Sequence, residues 1–430
     1  MHLKYLLFWG ILGILITGCQ SEPTELNLQA THKPSNGYTT RVLSVEEAYD
    51  NALPLINQVC SEKSIAIDFS LNRGEKVETI GLPGFTRSSS LDSLMYVINF
   101  DDQGFAIVGS NPNGRPLYAF SETGHFNISD TTYYQGLKYL IDGSIAAAYK
   151  ERITPARTET RADSIKYTLY RNIQPLLPPK VAIWHQRTPY NNACPICELG
   201  QGGGNVPQEP FFSRGVVGCT PLSIGMLLAY YQWPDSIDSV ILNWKGIREG
   251  TDRIQIGFLL QKIAELAGSQ YTDTTMTDRQ THQNNFMVPF RSLGASLAGA
   301  YKGLDFQETA NRDNVLNFLA GEIEFFRAAP VMVSSIFFAD KPRGHVWVLD
   351  GYFEFKCSSV DSPNKKLPNE LYLHCIWGLP SLASNGYYFY NTETGKVDST
   401  SVGPNDDPIG SNATLLRIYG KIRIPNAMTF

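Results

Sequence analysis

At 430 residues the chain is too long for one average domain and suits two. Apolar residues make up 43% and charged residues 18%, which supports substantial cores and excludes a disordered chain. A formal net charge of −5, with no basic block or acidic tail, gives no electrostatic footprint for nucleic acid.

Lys4 precedes an apolar run over residues 6–16 that ends Ile16-Thr17-Gly18-Cys19. The run falls short of the ~20 apolar residues a mature spanning helix needs. Its leading charge, apolar centre and small-residue cut site predict an export signal over 1–18. A cysteine directly after a small residue at the cut resembles a bacterial lipobox. That resemblance implies cleavage before Cys19, diacylation of its sulfur, and anchoring to a bacterial envelope membrane, at the outer membrane or cell surface. Residues 19–40 are polar, carry Pro23, Pro34 and Gly37, and read as a tether.

Residues 41–153 read as a small α+β unit. Ser44 and Glu47 make a capping-box pair that opens a helix with Ala48, Ala52 and Leu53. The β-rich run 94–100, the turn Asp101-Asp102-Gln103-Gly104 and the run 105–108 predict a hairpin. Asn111-Pro112-Asn113-Gly114 is a second turn, leading to a strand at 117–120. Residues 133–150 set Leu137, Leu140, Ile141 and Ala148 on one helical stripe. The chain then turns polar and proline-rich, and 154–180 reads as an extended, exposed linker open to proteolysis. In 181–430, helical runs at 220–231, 256–267 and 314–327 precede strand-like runs at 330–338, 345–355, 370–376, 387–391 and 413–423. Helices segregated from a late antiparallel sheet predict α+β architecture.

The chemistry converges on Cys219. The sequence Gly218-Cys219-Thr220-Pro221 opens an amphipathic run, and proline in the first turn of a helix costs no hydrogen bond. A cysteine at that end of a helix sits in the positive field that favours thiolate. The bland alternative is a small buried apolar residue. Among the seven histidines, His345 follows Gly344 and begins an apolar strand, so its backbone is held as a general base requires. The alternative there is a satisfied histidine at a strand end. His374, beside Trp377, is a second candidate base with a poorer fit. Cys194 and Cys197 form a CxxC, with His185 as a third metal ligand to consider, but no second pair follows at zinc spacing. Gly202-Gly203-Gly204 lacks the Gly-Lys-Ser/Thr of a phosphate loop. No metal or cofactor is expected. Cys357 and Cys375 bound two strand-like runs, which leaves a bridge between them open.

Gly218-Cys219, opening a helix that ends Tyr230-Tyr231-Gln232-Trp233-Pro234, together with Gly344-His345 and Val348-Leu349-Asp350-Gly351, resembles the streptopain family of cysteine peptidases. Trp184-His185-Gln186 resembles the segment that opens the family's mature enzyme. Gly104-Phe105-Ala106-Ile107-Val108 and Arg115-Pro116-Leu117-Tyr118 are similar to its inhibitory prodomain. The resemblance implies a papain-like peptidase domain over 181–430, preceded by an inhibitory prodomain over 41–153. It implies Cys219 as nucleophile, His345 as base, and the Gln186 amide with the Cys219 N–H as oxyanion donors. Gly218, Gly344 and Trp377 would support the site. Protein or peptide substrates, a subsite for bulky apolar side chains, and the chain's own prodomain as inhibitor follow.

The chain departs from that pattern at Ile376, where the family carries an asparagine, and the glycine- and tryptophan-rich loop breaks off at Leu379-Pro380. Ile376 cannot hydrogen-bond an imidazole. Two rival readings therefore stand beside the peptidase: a lapsed papain-like surface lipoprotein kept as a binding scaffold, and an acyltransferase that keeps the nucleophile.

Overall fold

The computed structural model describes residues 41–60, 76–81, 93–100, 104–128, 135–153, 165–199, 211–271, 276–277, 288–297, 304–305, 318–325, 329–337, 343–360, 367–379, 384–390, 414–419 and 422–423. Cys19, the signal, the tether and the triple glycine lie outside them.

Four helices matter for the site: α1 (Val45–Cys60), α2 (Gln135–Ile153), α3 (Cys219–Tyr231) and α4 (Arg253–Leu266). The capping box at α1 forms in both directions. The Ser44 N–H donates to Glu47 Oε2 at 2.9 Å, and the Glu47 N–H donates to Ser44 Oγ at 3.2 Å. Ala48, Ala52, Leu55, Ile56 and Val59 then make the buried stripe. The run expected to be helical at 314–327 is described over 318–325, where Ala320–Phe325 winds as a π-helix.

Among the described residues, eleven strands join one antiparallel sheet: β1 (Lys76–Ile80), β2 (Met95–Phe100), β3 (Gly104–Gly109), β4 (Leu117–Ser121), β5 (Ile165–Ile173), β6 (Leu304–Asp305), β7 (Val331–Phe337), β8 (Arg343–Ser359), β9 (Glu370–Ile376), β10 (Gly386–Tyr390) and β11 (Thr414–Tyr419). Their order is β1-β2-β3-β4-β10-β9-β8-β7-β11-β6, and β5 pairs β8. The expected hairpin is β2–β3, in register from Met95↔Gly109 to Phe100↔Gly104. Strand β8 is long enough to take two partners along one edge. Its first half pairs β7 from Arg343 to Leu349, and its second half pairs β5 from Tyr352 to Ser359. Part of the expected linker is thus a strand, while 154–164 lies outside the described residues.

The period-2 alternation of strands sorts side chains onto two faces. Val346, Val348, Met332 and Ile376 face one core, with α3 and α4. Trp347, Leu349, Val331, Val333 and Cys375 face the other, with α1 and α2. Residues 41–153 and the later part of the chain therefore share one sheet rather than merely touching. Tyr387↔Phe120 and Tyr388↔Ala119 are the rungs that join them.

A buried charge cluster reinforces this junction. Arg115 places Nη1 2.9 Å from Glu151 Oε1 and Nε 3.0 Å from Glu370 Oε1, with its guanidinium 3.6 Å from the centre of the Phe389 ring. The Tyr372 hydroxyl lies 2.7 Å from the Leu117 carbonyl oxygen and 2.9 Å from Glu370 Oε2. Burial pushes the Glu370 carboxyl above its usual value, with Arg115 pulling the other way.

The bridge considered between Cys357 and Cys375 does not form, and neither sulfur is in a disulfide. Cys375 stands opposite Leu349, while Cys357 stands opposite Tyr167. Eight residues of β8 separate those levels, roughly 25 Å at the rise of a strand, far beyond disulfide reach.

Candidate active site

Gly218 ends the approach to α3 at φ 94° and ψ 144°, a conformation that favours glycine, and no side chain caps the helix. Its carbonyl accepts from the Leu222 N–H at 3.2 Å. Cys219 follows as the first helical residue, half-buried, while Thr220 through Ala229 are buried. The Val346 and Thr220 backbones and the Thr220 hydroxyl act on its sulfur as hydrogen-bond donors. These donors favour thiolate, yet burial outweighs them and raises the thiol above its ordinary value.

Val346 is held from both sides. Its N–H meets the Cys219 sulfur, and its carbonyl accepts from Ser223 Oγ at 3.2 Å, one turn further along α3. This pins the start of β8, next to His345, to α3. The imidazole is only 5% exposed. It stacks against Trp347 at 6.2 Å and Trp377 at 6.4 Å between ring centres. Its Nε2 lies 3.0 Å from the Trp377 carbonyl oxygen. A carbonyl only accepts, so Nε2 carries the hydrogen and Nδ1 is the basic nitrogen. Burial lowers the imidazole to about 4, against a small opposing effect of the Trp377 bond.

Ile376 does not orient the histidine. It is buried opposite Val348, in the core shared with α3. The next residue's backbone supplies the acceptor that the expected asparagine would have offered, and a backbone carbonyl leaves no trace in a sequence. Gly378 follows at φ 70°, and a Cβ there would lie 2.5 Å from Leu222 Cδ2 on α3. The sheet end and α3 are in close approach at that point.

The Gln186 segment runs beside the approach to Cys219. The Val217 N–H donates to the Gln186 carbonyl at 3.0 Å, and Asn191 Nδ2 donates to the Gly215 carbonyl at 3.1 Å. Trp184 is buried in the α3 core. His185 Nδ1 accepts from the Arg187 N–H at 3.3 Å, and its ring stands edge-on to Tyr190. The CxxC cysteines are both free, and burial pushes the Cys194 thiol up to about 11.

His374, the second candidate base, pairs with a carboxylate: its Nδ1 lies 2.6 Å from Asp350 Oδ1. Asp350 is completely buried and also accepts the N–H groups of Leu176 and Leu177, on its carbonyl and on Oδ2. It therefore anchors the chain as it passes from β5 toward Trp184 and Gln186. The motif Val348-Leu349-Asp350-Gly351 marked this residue, but its partners lie about 24 and 173 positions away.

Helix α2 reaches the same site from the far face. A Cβ at Gly136 would lie 2.5 Å from Trp347 Cζ3, so the start of α2 rests on the indole that stacks against His345.

No protein-family model matches the chain, and no curated protein matches it. Among solved structures, it is similar to a mutant fragment of Prevotella intermedia prointerpain A, with a TM-score of 0.46 and 15% identity, over 82% of this chain and 100% of that one. It is also similar to active wild-type interpain A cysteine protease of the same organism, with a TM-score of 0.34 and 14% identity, over 58% and 94%.

Proposed function

We propose that this chain is an exported, lipid-anchored cysteine endopeptidase of the streptopain type, made as a precursor in which residues 41–153 hold the enzyme latent. The observation that carries the reading is the His345 Nε2 contact with the Trp377 carbonyl. It fixes the tautomer whose Nδ1 can take a proton.

In this reading Cys219 attacks the peptide carbonyl, its proton passing to His345. The amine leaves with that proton, and a thioester remains. His345 then takes a proton from water, which hydrolyses the thioester and restores the thiol. The Cys219 N–H and the Gln186 amide hold the oxyanion, a contribution often worth ~3 kcal/mol per donor. Latency has a physical basis in the same geometry: burial favours the neutral thiol and the neutral imidazole, so the reactive ion pair is suppressed. Export and the lipid on Cys19 rest on the N-terminal sequence alone.

The scaffold reading rests on Ile376, whereas the Trp377 carbonyl beside His345 supports the peptidase reading. The deciding experiment follows the full-length chain and Cys219→Ala side by side under reducing conditions. N-terminal processing and labelling by a thiol-directed epoxide are measured in each. Processing with stoichiometric labelling at Cys219 in the wild type, and neither in the mutant, supports the peptidase. Equal processing of both chains, or a processed wild type that takes no label, overturns it.

A further inference from the structure

We propose that Asn385 is a positioning residue of this site: it fixes the Trp377 peptide that orients His345 and ties it to the segment carrying Gln186. The inference rests on the peptidase reading above. A carbonyl can orient an imidazole only if its own backbone cannot turn. Trp377 lies just past the end of β9, where the ladder with β8 stops at Val348↔Ile376 and that with β10 stops at Cys375↔Gly386. The sheet therefore offers the Trp377 N–H no rung. Asn385, immediately before β10, supplies one from its side chain: Oδ1 accepts the Trp377 N–H at 2.9 Å.

The other end of the same amide is also used. Asn385 Nδ2 donates to the Ala182 carbonyl at 3.2 Å, four residues before Gln186. Asn385 is buried, so water does not readily replace either bond. One planar group thus braces the base side and the oxyanion side together. The role needs an acceptor and a donor at that reach. Aspartate keeps the acceptor and loses the donor, while alanine keeps neither. On the opposite side, Gly378 at φ 70° packs against Leu222, so the Trp377 carbonyl is fixed between two restraints.

The test reads the imidazole directly, so it does not depend on turnover. Full-length chains carrying Cys219→Ala are labelled with 15N-histidine and compared with the additional changes Asn385→Ala and Asn385→Asp. With Asn385 intact, His345 should show one set of nitrogen shifts, that of the Nε2–H tautomer. Asn385→Ala should average the two tautomers, and Asn385→Asp should restore the single form. An unchanged tautomer in a folded Asn385→Ala chain overturns the proposal. Should that variant not fold, loss of the single tautomer in Asn385→Asp does the same. In chains with Cys219 present, Asn385→Ala should lower kcat on the order of 10–100-fold with little change in KM, and Asn385→Asp should recover most of it. A processed wild type that neither labels nor turns over defeats the peptidase reading, and the tautomer result still decides the role of Asn385.

Discussion

A buried imidazole that resists protonation makes the folded chain sensitive to acid. His345 falls from an ordinary 6.5 to about 4 because burial disfavours its charged form. In the unfolded chain the ring takes a proton as pH drops through 6.5, while the folded protein stays neutral until about 4. The unfolded state therefore binds more protons across that window, and stability falls with pH. At 1.36 kcal/mol per unit the full loss is about 3 kcal/mol, of which roughly 2 is reached by pH 4.5. The perturbation is His345→Gln, made in a Cys219→Ala background so that nothing is cut. Urea unfolding at pH 7 and pH 4.5 should show the parent losing about 2 kcal/mol more than the variant between the two conditions. A constant offset from the lost Trp377 bond does not enter that difference. The His345 C2 proton followed by NMR should titrate near 4 in the parent. Equal pH slopes, or a titration near 6.5, would refute the reasoning.

Arg115→Ala removes the cation between Glu151 and Glu370 and leaves the buried Glu370 carboxyl without its ion-pair partner; a loss of about 3 kcal/mol is expected by urea unfolding, with Arg115→Lys losing less. Gly378→Ala imposes both a strained φ and a collision with Leu222, so it should destabilise the chain by about 1–3 kcal/mol and slow epoxide labelling of Cys219. Ser44→Ala breaks the α1 cap at an exposed position and should cost about 1 kcal/mol without altering the labelling rate.

Local features were legible in the sequence to the extent that their causes are local. The Ser44–Glu47 cap, the β2–β3 hairpin and the start of α3 each follow from a few neighbouring residues, and each stands where it was expected. What could not be read were pairings fixed by the tertiary fold. Phe120 and Tyr387 are 267 positions apart and become neighbours only when two sheets merge, so the earlier unit looked self-contained. Cys357 and Cys375 lay at the ends of consecutive strand-like runs, and only the register of β8 separated them. At the candidate site the residue types Cys219, His345 and Trp377 were visible. The acceptor for His345 was not, because it belongs to a peptide group that every residue possesses. Ile376 read as a missing part, when its side chain serves the α3 core and its neighbour's carbonyl takes the polar role.

The continuous sheet makes the separation of residues 41–153 a matter of stripping strands rather than of lifting a plug. A cut in the connection before β5 would leave the β4–β10 rungs and the Arg115 cluster intact, so the severed piece would remain seated until those bonds opened together. Once it left, β10 would become a raw edge, five residues long, with Tyr387, Tyr388, Phe389 and Tyr390 newly facing water. An unpaired aromatic strand is a template for the nearest extended chain. A chain cut there and stripped of that piece would thus be stickier than the intact one, prone to recapture its own fragment or to stack edge to edge with a second copy, and it should stay dispersed best when dilute.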